Sequence, residues 1–347
     1  PDGLTDQTNW FDETFTTGIR HNYQLSASGA SNKVNYFISG GYTDETGIIN
    51  TTSFKRFNFR SSVDSEMYKL LTLSANISYS NNISKGDIIS GTGANRGGVI
   101  LSVINTPTYA PVWDTENPKH YYNRFYGVSN ITHPLENLAR TKNNKNDTHR
   151  LLATGKSVIT FIPELKLSSS ITADMNYWNY TSFLDPVSTS YGRGQFGEAQ
   201  DNRSFTKVMM LDNILTYNKK INLNNFEAMA GTSYTVSDWS QSYQFGSHFA
   251  NDLIQTLNAA NKISPSNGST GSQWAIMSYL GRLSYNYDSK YLATINMRAD
   301  GSSKLAPSGR WGYFPSVSAA WRISSEPFMA NFNWMNDLKL RAGWGQT

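Results

Sequence analysis

The side chains able to do chemistry are few and poorly grouped. The five histidines (His21, His120, His133, His149 and His248) are scattered, with no HExxH and no paired metal-ligand spacing. The chain has no cysteine, which removes thiolate metal sites and disulfide scaffolds and fits an exported protein. The glycines of Gly91–Gly98 precede neither a Lys-Ser/Thr pair nor a clear helix, so they make no phosphate loop, and no nucleophile elbow appears. The pairs Asp12-Glu13 and Asp44-Glu45 sit beside turns, where solvation and local capping account for them. The expectation is a protein that is not an enzyme, with no catalytic residue, metal or cofactor.

Binding is a better prospect than catalysis. The long stretch Ile83–Thr148 carries Tyr109, Trp113, Tyr121, Tyr122, Phe125 and Tyr126, with Asp114, Glu116, Asn123 and Arg124 interspersed. Aromatic faces stack on the apolar faces of sugars, and nearby amides and charges satisfy hydroxyl or peptide groups. The competing reading is that these aromatics fold the loop onto itself, since a loop of roughly sixty residues needs a small core to be ordered. A second, weaker patch is Tyr191, Arg193, Phe196 and Arg203.

The elements that must position these residues are read from period-two alternation. Leu71, Leu73, Ala75, Ile77 and Tyr79 alternate with Thr72, Ser74, Asn76 and Ser78. Tyr291, Ala293, Ile295 and Met297 alternate with Thr294, Asn296 and Arg298, and Leu338, Leu340, Ala342 and Trp344 with Lys339 and Arg341. About twelve strands are expected, near 22–29, 34–43, 54–64, 70–82, 149–162, 165–180, 203–219, 225–245, 273–287, 290–300, 311–323 and 337–346. Several reach the roughly nine to eleven residues that cross a bilayer at a tilt. Short turns such as Pro163-Glu164 and Asp288-Ser289 alternate with long connections, 83–148 the longest, which is the layout of an outer-membrane barrel. One turn-side connection, Ser325–Asn336, is longer and suits a short helical segment.

Composition agrees. Hydrophobic residues make up 38%, and no window approaches eighteen uninterrupted apolar residues, which excludes membrane helices. The net charge of +4 comes with no basic block, which argues against nucleic acid as a partner. The fold class expected is all-β, a transmembrane antiparallel β-barrel with long extracellular loops. A soluble carbohydrate-binding β-protein, sandwich or propeller, and a passive porin-like or structural barrel stand as alternatives. In a barrel the polar phase, with Arg56, Arg60, Asp174, Arg298 and Arg341 among it, lines the interior. A Lys at Ile295 should then weaken folding into lipid more than a Lys at Asn296.

Two stretches carry a family resemblance. The first is NWFDETFTTGI from Asn9, YFISGGYTDETGII from Tyr36 and FKRFNFR from Phe54; the second is YLGRLSYNYDSKYLATINMRADGSS from Tyr279 through NDLKLRAGWGQT to Thr347. Both resemble the barrel of the SusC/RagA family of TonB-dependent outer-membrane transporters. The segment SSKLA at Ser302–Ala306 departs from the family's usual Arg and aromatic there.

The resemblance implies that residues 1–347 are part of one receptor barrel domain in the cell outer membrane, about 12 strands of a 22-stranded wall. It implies that the plug and the C-terminal strands lie outside this stretch, whose ends look cut. It also implies a SusD-like surface lipoprotein, the TonB complex and outer-membrane lipid as partners, and import of oligosaccharides or peptides.

Overall fold

The computed structural model describes residues 7–86, 98–125, 132–329, 332 and 334–347. All twelve expected strands are present, most of them longer than alternation alone indicates. In chain order they are β1 (Arg20–Ala30), β2 (Val34–Thr46), β3 (Ser53–Tyr68), β4 (Leu71–Lys85), β5 (Lys145–Ile162), β6 (Leu165–Leu184), β7 (Glu198–Ile221), β8 (Asn224–Ser247), β10 (Gly268–Tyr287), β11 (Tyr291–Ser302), β12 (Trp311–Arg322) and β13 (Lys339–Gly345). A two-residue strand, β9 (Lys262–Ile263), pairs with the loop end of β8. Every strand pairs antiparallel with its neighbour in sequence, giving one sheet in the order β1 to β8, then β10 to β13. No helix among the described residues is long and apolar enough to cross a membrane.

Residues directly opposite in an antiparallel pair share a face, so the register fixes the phase across the whole wall. Ile295 lies between Leu283 and Val317, and Val317 opposes Trp344. Leu211 lies between Ile171 and Tyr234. Ile77 opposes Ala153, which opposes Ala173. This apolar face is not packed against a second sheet: Leu25 is 81% exposed, Leu283 60% and Ile295 56%. Most of the described buried apolar residues form two small clusters at the loop end of the wall. A soluble sandwich would have sealed the apolar stripes against each other. Here they face outward in a continuous band, which only hydrocarbon can cover without large cost.

Aromatic side chains bound that band on both sides. Toward the long loops run Tyr42, Phe57, Tyr79, Tyr177 and Phe205, with Phe57 and Tyr79 ring centroids 6.2 Å apart and Tyr79 Oη 2.8 Å from His149 Nδ1. Toward the short turns stand Phe226, Tyr285, Tyr287, Tyr291 and Trp321, with Phe226 and Tyr285 5.0 Å apart and Tyr287 and Tyr291 6.2 Å apart. Amphipathic rings at both interfaces are what a bilayer selects. Beyond them the same face turns charged, with Lys55–Asp44 (3.0 Å) and Arg203–Asp201 (2.8 Å) above and Lys219–Glu164 (2.5 Å) below.

The short turns are as expected. Asp288 and Ser289 take left-handed backbone angles (φ 51° and 56°), as a tight hairpin of right-twisted strands requires. The exceptional turn-side connection holds two 3-10 segments, Ile323–Ser325 and Pro327–Met329, where the Glu326 carboxylate accepts from Tyr291 Oη (2.6 Å) and Trp321 Nε1 (3.0 Å).

Candidate functional site at the loop end

The loop end carries a small folded cap. Its helices are α1 (Trp10–Thr14), α2 (Gly98–Asn105), α3 (Pro134–Thr141) and α4 (Ser190–Gln195). Asn9 starts α1 by accepting from the Phe11 N–H (3.1 Å), and Thr189 starts α4 by accepting from the Gly192 N–H (2.9 Å). Trp10, Ile49, Val99, Val103, Ala110, Tyr122 and Leu138 form the cap's core, with Tyr109 and Phe125 packed against it. Trp10 ties α1 to the long loop by donating from Nε1 to the Pro107 carbonyl (3.0 Å).

Buried polar groups join the cap's parts. Glu136 is almost wholly buried and accepts from Arg140 Nη2 (2.8 Å), the Ser190 N–H (2.9 Å) and Ser190 Oγ (2.5 Å), linking α3 to α4. The Arg140 guanidinium also lies over the Tyr191 ring, 5.0 Å from its centroid. His133 caps α3 by accepting from the Glu136 N–H (3.3 Å) and meets Trp10 edge-on at 4.8 Å. Burial pushes its imidazole pKa down to about 4, against the opposing pull of Glu136. Burial raises the Tyr121 hydroxyl, and the Asp185 and Glu136 charges add to the rise.

The six loop aromatics separate into different settings. Tyr122 is 2% exposed and, with Tyr109 and Phe125, holds the loop together rather than presenting a face. Trp113 and Tyr121 face each other across a short hairpin, stacked at 4.7 Å and 19°, and Trp113 is 46% exposed. Arg124 closes this hairpin by donating to Asp114 (2.8 Å) and Glu116 (2.7 Å). Tyr126 lies outside the described residues. The second patch is dispersed: Tyr191 meets Arg140, Phe196 stacks on His248 at 4.9 Å, Arg193 donates to the Val187 carbonyl (2.9 Å), and Arg203 pairs with Asp201 on the outward face.

The register sets Arg56, Arg60, Asp174, Arg298 and Arg341 on the face opposite the apolar band. Asp174 receives both Nε (3.0 Å) and Nη2 (2.7 Å) of Arg150. Arg298 donates to Asp300 (2.7 Å) and to Ser278 Oγ (3.3 Å). Arg56, Arg60 and Arg341 make no ion pair among the described residues. No group of three or more His, Asp or Glu side chains there is placed to hold a metal ion. Sequence reading missed Trp10, His133 and Glu136; Pro134 followed by Glu136 was the one visible sign of a helix start inside the long loop.

A single antiparallel wall with an outward apolar band, two aromatic girdles, a polar inner face and a loop-side cap defines the class, a transmembrane β-barrel of the outer membrane. The comparisons narrow it. No family model matches the chain. It is 28% identical to the TonB-dependent receptor SusC of Bacteroides thetaiotaomicron over 371 aligned positions, covering 99% of this chain and 35% of SusC. It is 30% identical to the TonB-dependent receptor P26 of Formosa agariphila, covering 98% of this chain and 34% of the relative. The RagAB peptide transporter shares the fold with a TM-score of 0.80 at 22% identity, over 98% of this chain and 38% of that one. Over nearly its whole length the chain is similar to a barrel segment of TonB-dependent outer-membrane receptors, SusC among them. It spans about a third of the length of the curated relatives it matches.

Proposed function

We propose that this chain is the wall and part of the mouth of an energised nutrient importer. Residues 1–347 form part of one receptor barrel domain, with the connection at about 83–148 lying outside the cell. The remaining strands and a plug come from outside this stretch. A SusD-like lipoprotein sits over the cap, the TonB complex supplies energy, and oligosaccharides or peptides are the cargo. The wall makes and breaks no covalent bond.

The observation that carries this reading is the continuous antiparallel pairing of the wall, apolar outside and polar inside, shifted in register only beside the β3–β4 and β5–β6 turns among the described pairs, with its two edges β1 and β13 unpaired among the described residues. Unpaired edges are not tolerated in lipid, so further strands must complete the ring. Trp113, exposed and stacked on the half-buried Tyr121, is a part of the cap able to meet cargo or a lid. Uptake of labelled oligosaccharides and peptides by cells expressing the complete receptor tests the proposal. Uptake should stop when the proton-motive force is collapsed; uptake that continues unchanged identifies a passive channel and overturns it.

A further inference from the structure

We propose that the inner face of β6 to β10 near the loop end is a binding surface for a neutral carbohydrate chain. The proposal rests on the import reading and adds a ligand class and a place. Five aromatics share that face within four successive rows of the register. Trp178 and Tyr180 stand on β6, Trp239 and Tyr243 on β8, and Trp274 on β10. Tyr180 and Tyr243 lie in one row with Asn202 between them. In the row below this group, Thr172, Met210, Thr235 and Ile276, aromatics cease, and none follows on these strands down to the turns. With strands about 5 Å apart and about 3.4 Å of rise per residue, the patch is roughly 15 Å wide and 20 Å tall, room for several sugar rings.

Three of the five rings are held in place. Trp178 is stacked on Tyr180 at 6.2 Å and 9°, and its Nε1 donates to Asn146 Oδ1 (3.2 Å). Lys304 covers Trp274, its Nζ 5.1 Å from the ring centroid. Trp239 and Tyr243 have neither a ring partner nor a side-chain hydrogen bond among the described residues, and so remain available to stack. Asn202 is 8% exposed, and its Oδ1 accepts no hydrogen bond among the described residues. On β6 to β10 the sole formal charge in these rows is Asp174, already taken by Arg150. Aromatic faces among amides and hydroxyls, with the Lys304 ammonium at the Trp274 edge as the one unpaired charge among the described residues there, suit a neutral polyhydroxylated ligand.

The test uses the complete receptor, purified in detergent, with maltohexaose, cellohexaose, laminarihexaose and an uncharged dodecapeptide as probes. Titrations are followed by calorimetry and tryptophan fluorescence. At least one hexasaccharide should bind, and Trp239→Ala with Tyr243→Ala should weaken it tenfold or more. Tyr234→Ala, on the outward face of the same strand, should leave it unchanged. Absence of binding by all three sugars, equal binding in the double variant, or a Trp239-dependent preference for the peptide overturns the proposal. Uptake indifferent to the proton-motive force, with Trp239-dependent sugar binding intact, removes the import reading and leaves this surface supported.

Discussion

A lysine at Ile295 should damage this protein far more than a lysine on the other face of the wall at the same depth. Ile295 is four residues from Tyr291 in the turn-side girdle and four from Ala299, which opposes Tyr313 on the loop side. Four residues span about 13 Å along a strand, or about 10 Å along the membrane normal at a tilt near 40°. Ile295 therefore sits near the middle of the apolar band, with Leu283 and Val317 beside it. A lysine there costs about 2–4 kcal/mol of folding into lipid.

Asn296 is a poor comparison despite its adjacency, because it accepts from Arg282 Nε (2.9 Å) and donates to Ser316 Oγ (3.1 Å). Ser318 is better, since it lies on the inner face opposite Thr294, is exposed, and makes no side-chain hydrogen bond among the described residues. Ser318→Lys should cost less than about 0.5 kcal/mol, like other surface changes away from special features. Reversible denaturant unfolding of the complete receptor in vesicles, read by tryptophan fluorescence, measures both. A Ser318→Lys penalty equal to that of Ile295→Lys would refute the assignment of faces.

Acid should loosen the cap. His133 is titrated near pH 4 in the fold and near 6.5 when unfolded, so its contribution is whole above pH 6.5. It is lost as pH falls from 6.5 through 4, about 3 kcal/mol in all, because protonation favours the opened state. Proteolysis of segment 98–144 should accelerate across that window, and His133→Asn should flatten the dependence. Glu136→Ala leaves Arg140 largely buried without its anion and strips the acceptor from Ser190; it should cost about 3 kcal/mol, seen as earlier release of α3 and α4 in hydrogen exchange. Trp10→Ala opens a cavity in the cap core worth about 3–5 kcal/mol and should free α1, while the strand amides stay protected.

The wall could be read in the sequence because each strand has two environments and alternates between them. Tyr291, Ala293, Ile295 and Met297 fixed the phase of β11, and the register carries that phase to both edges. Strand length was harder. β7 and β8 run 24 residues each, beyond the expected 203–219 and 225–245. Their loop ends leave the membrane, where both faces are polar and alternation fades. The cap was least legible. Its helices are five to eight residues long, too short to show a helical period, and Tyr122 and His133 are buried by contacts between segments more than a hundred residues apart, such as the one Trp10 makes. The inner aromatics were hidden for a related reason, since Trp178, Trp239 and Trp274 share a surface only once three hairpins fix the register.

The face assignment can be measured residue by residue, because this stretch has no cysteine to compete with a label. Single cysteines introduced from Ala293 to Arg298 in the complete receptor, any others replaced, can carry a spin label in vesicles. Labels at 293, 295 and 297 should be relaxed by oxygen dissolved in the bilayer, and those at 294, 296 and 298 by a water-soluble nickel chelate. Equal access to both agents along the strand, or alternation of the opposite phase, would contradict the account.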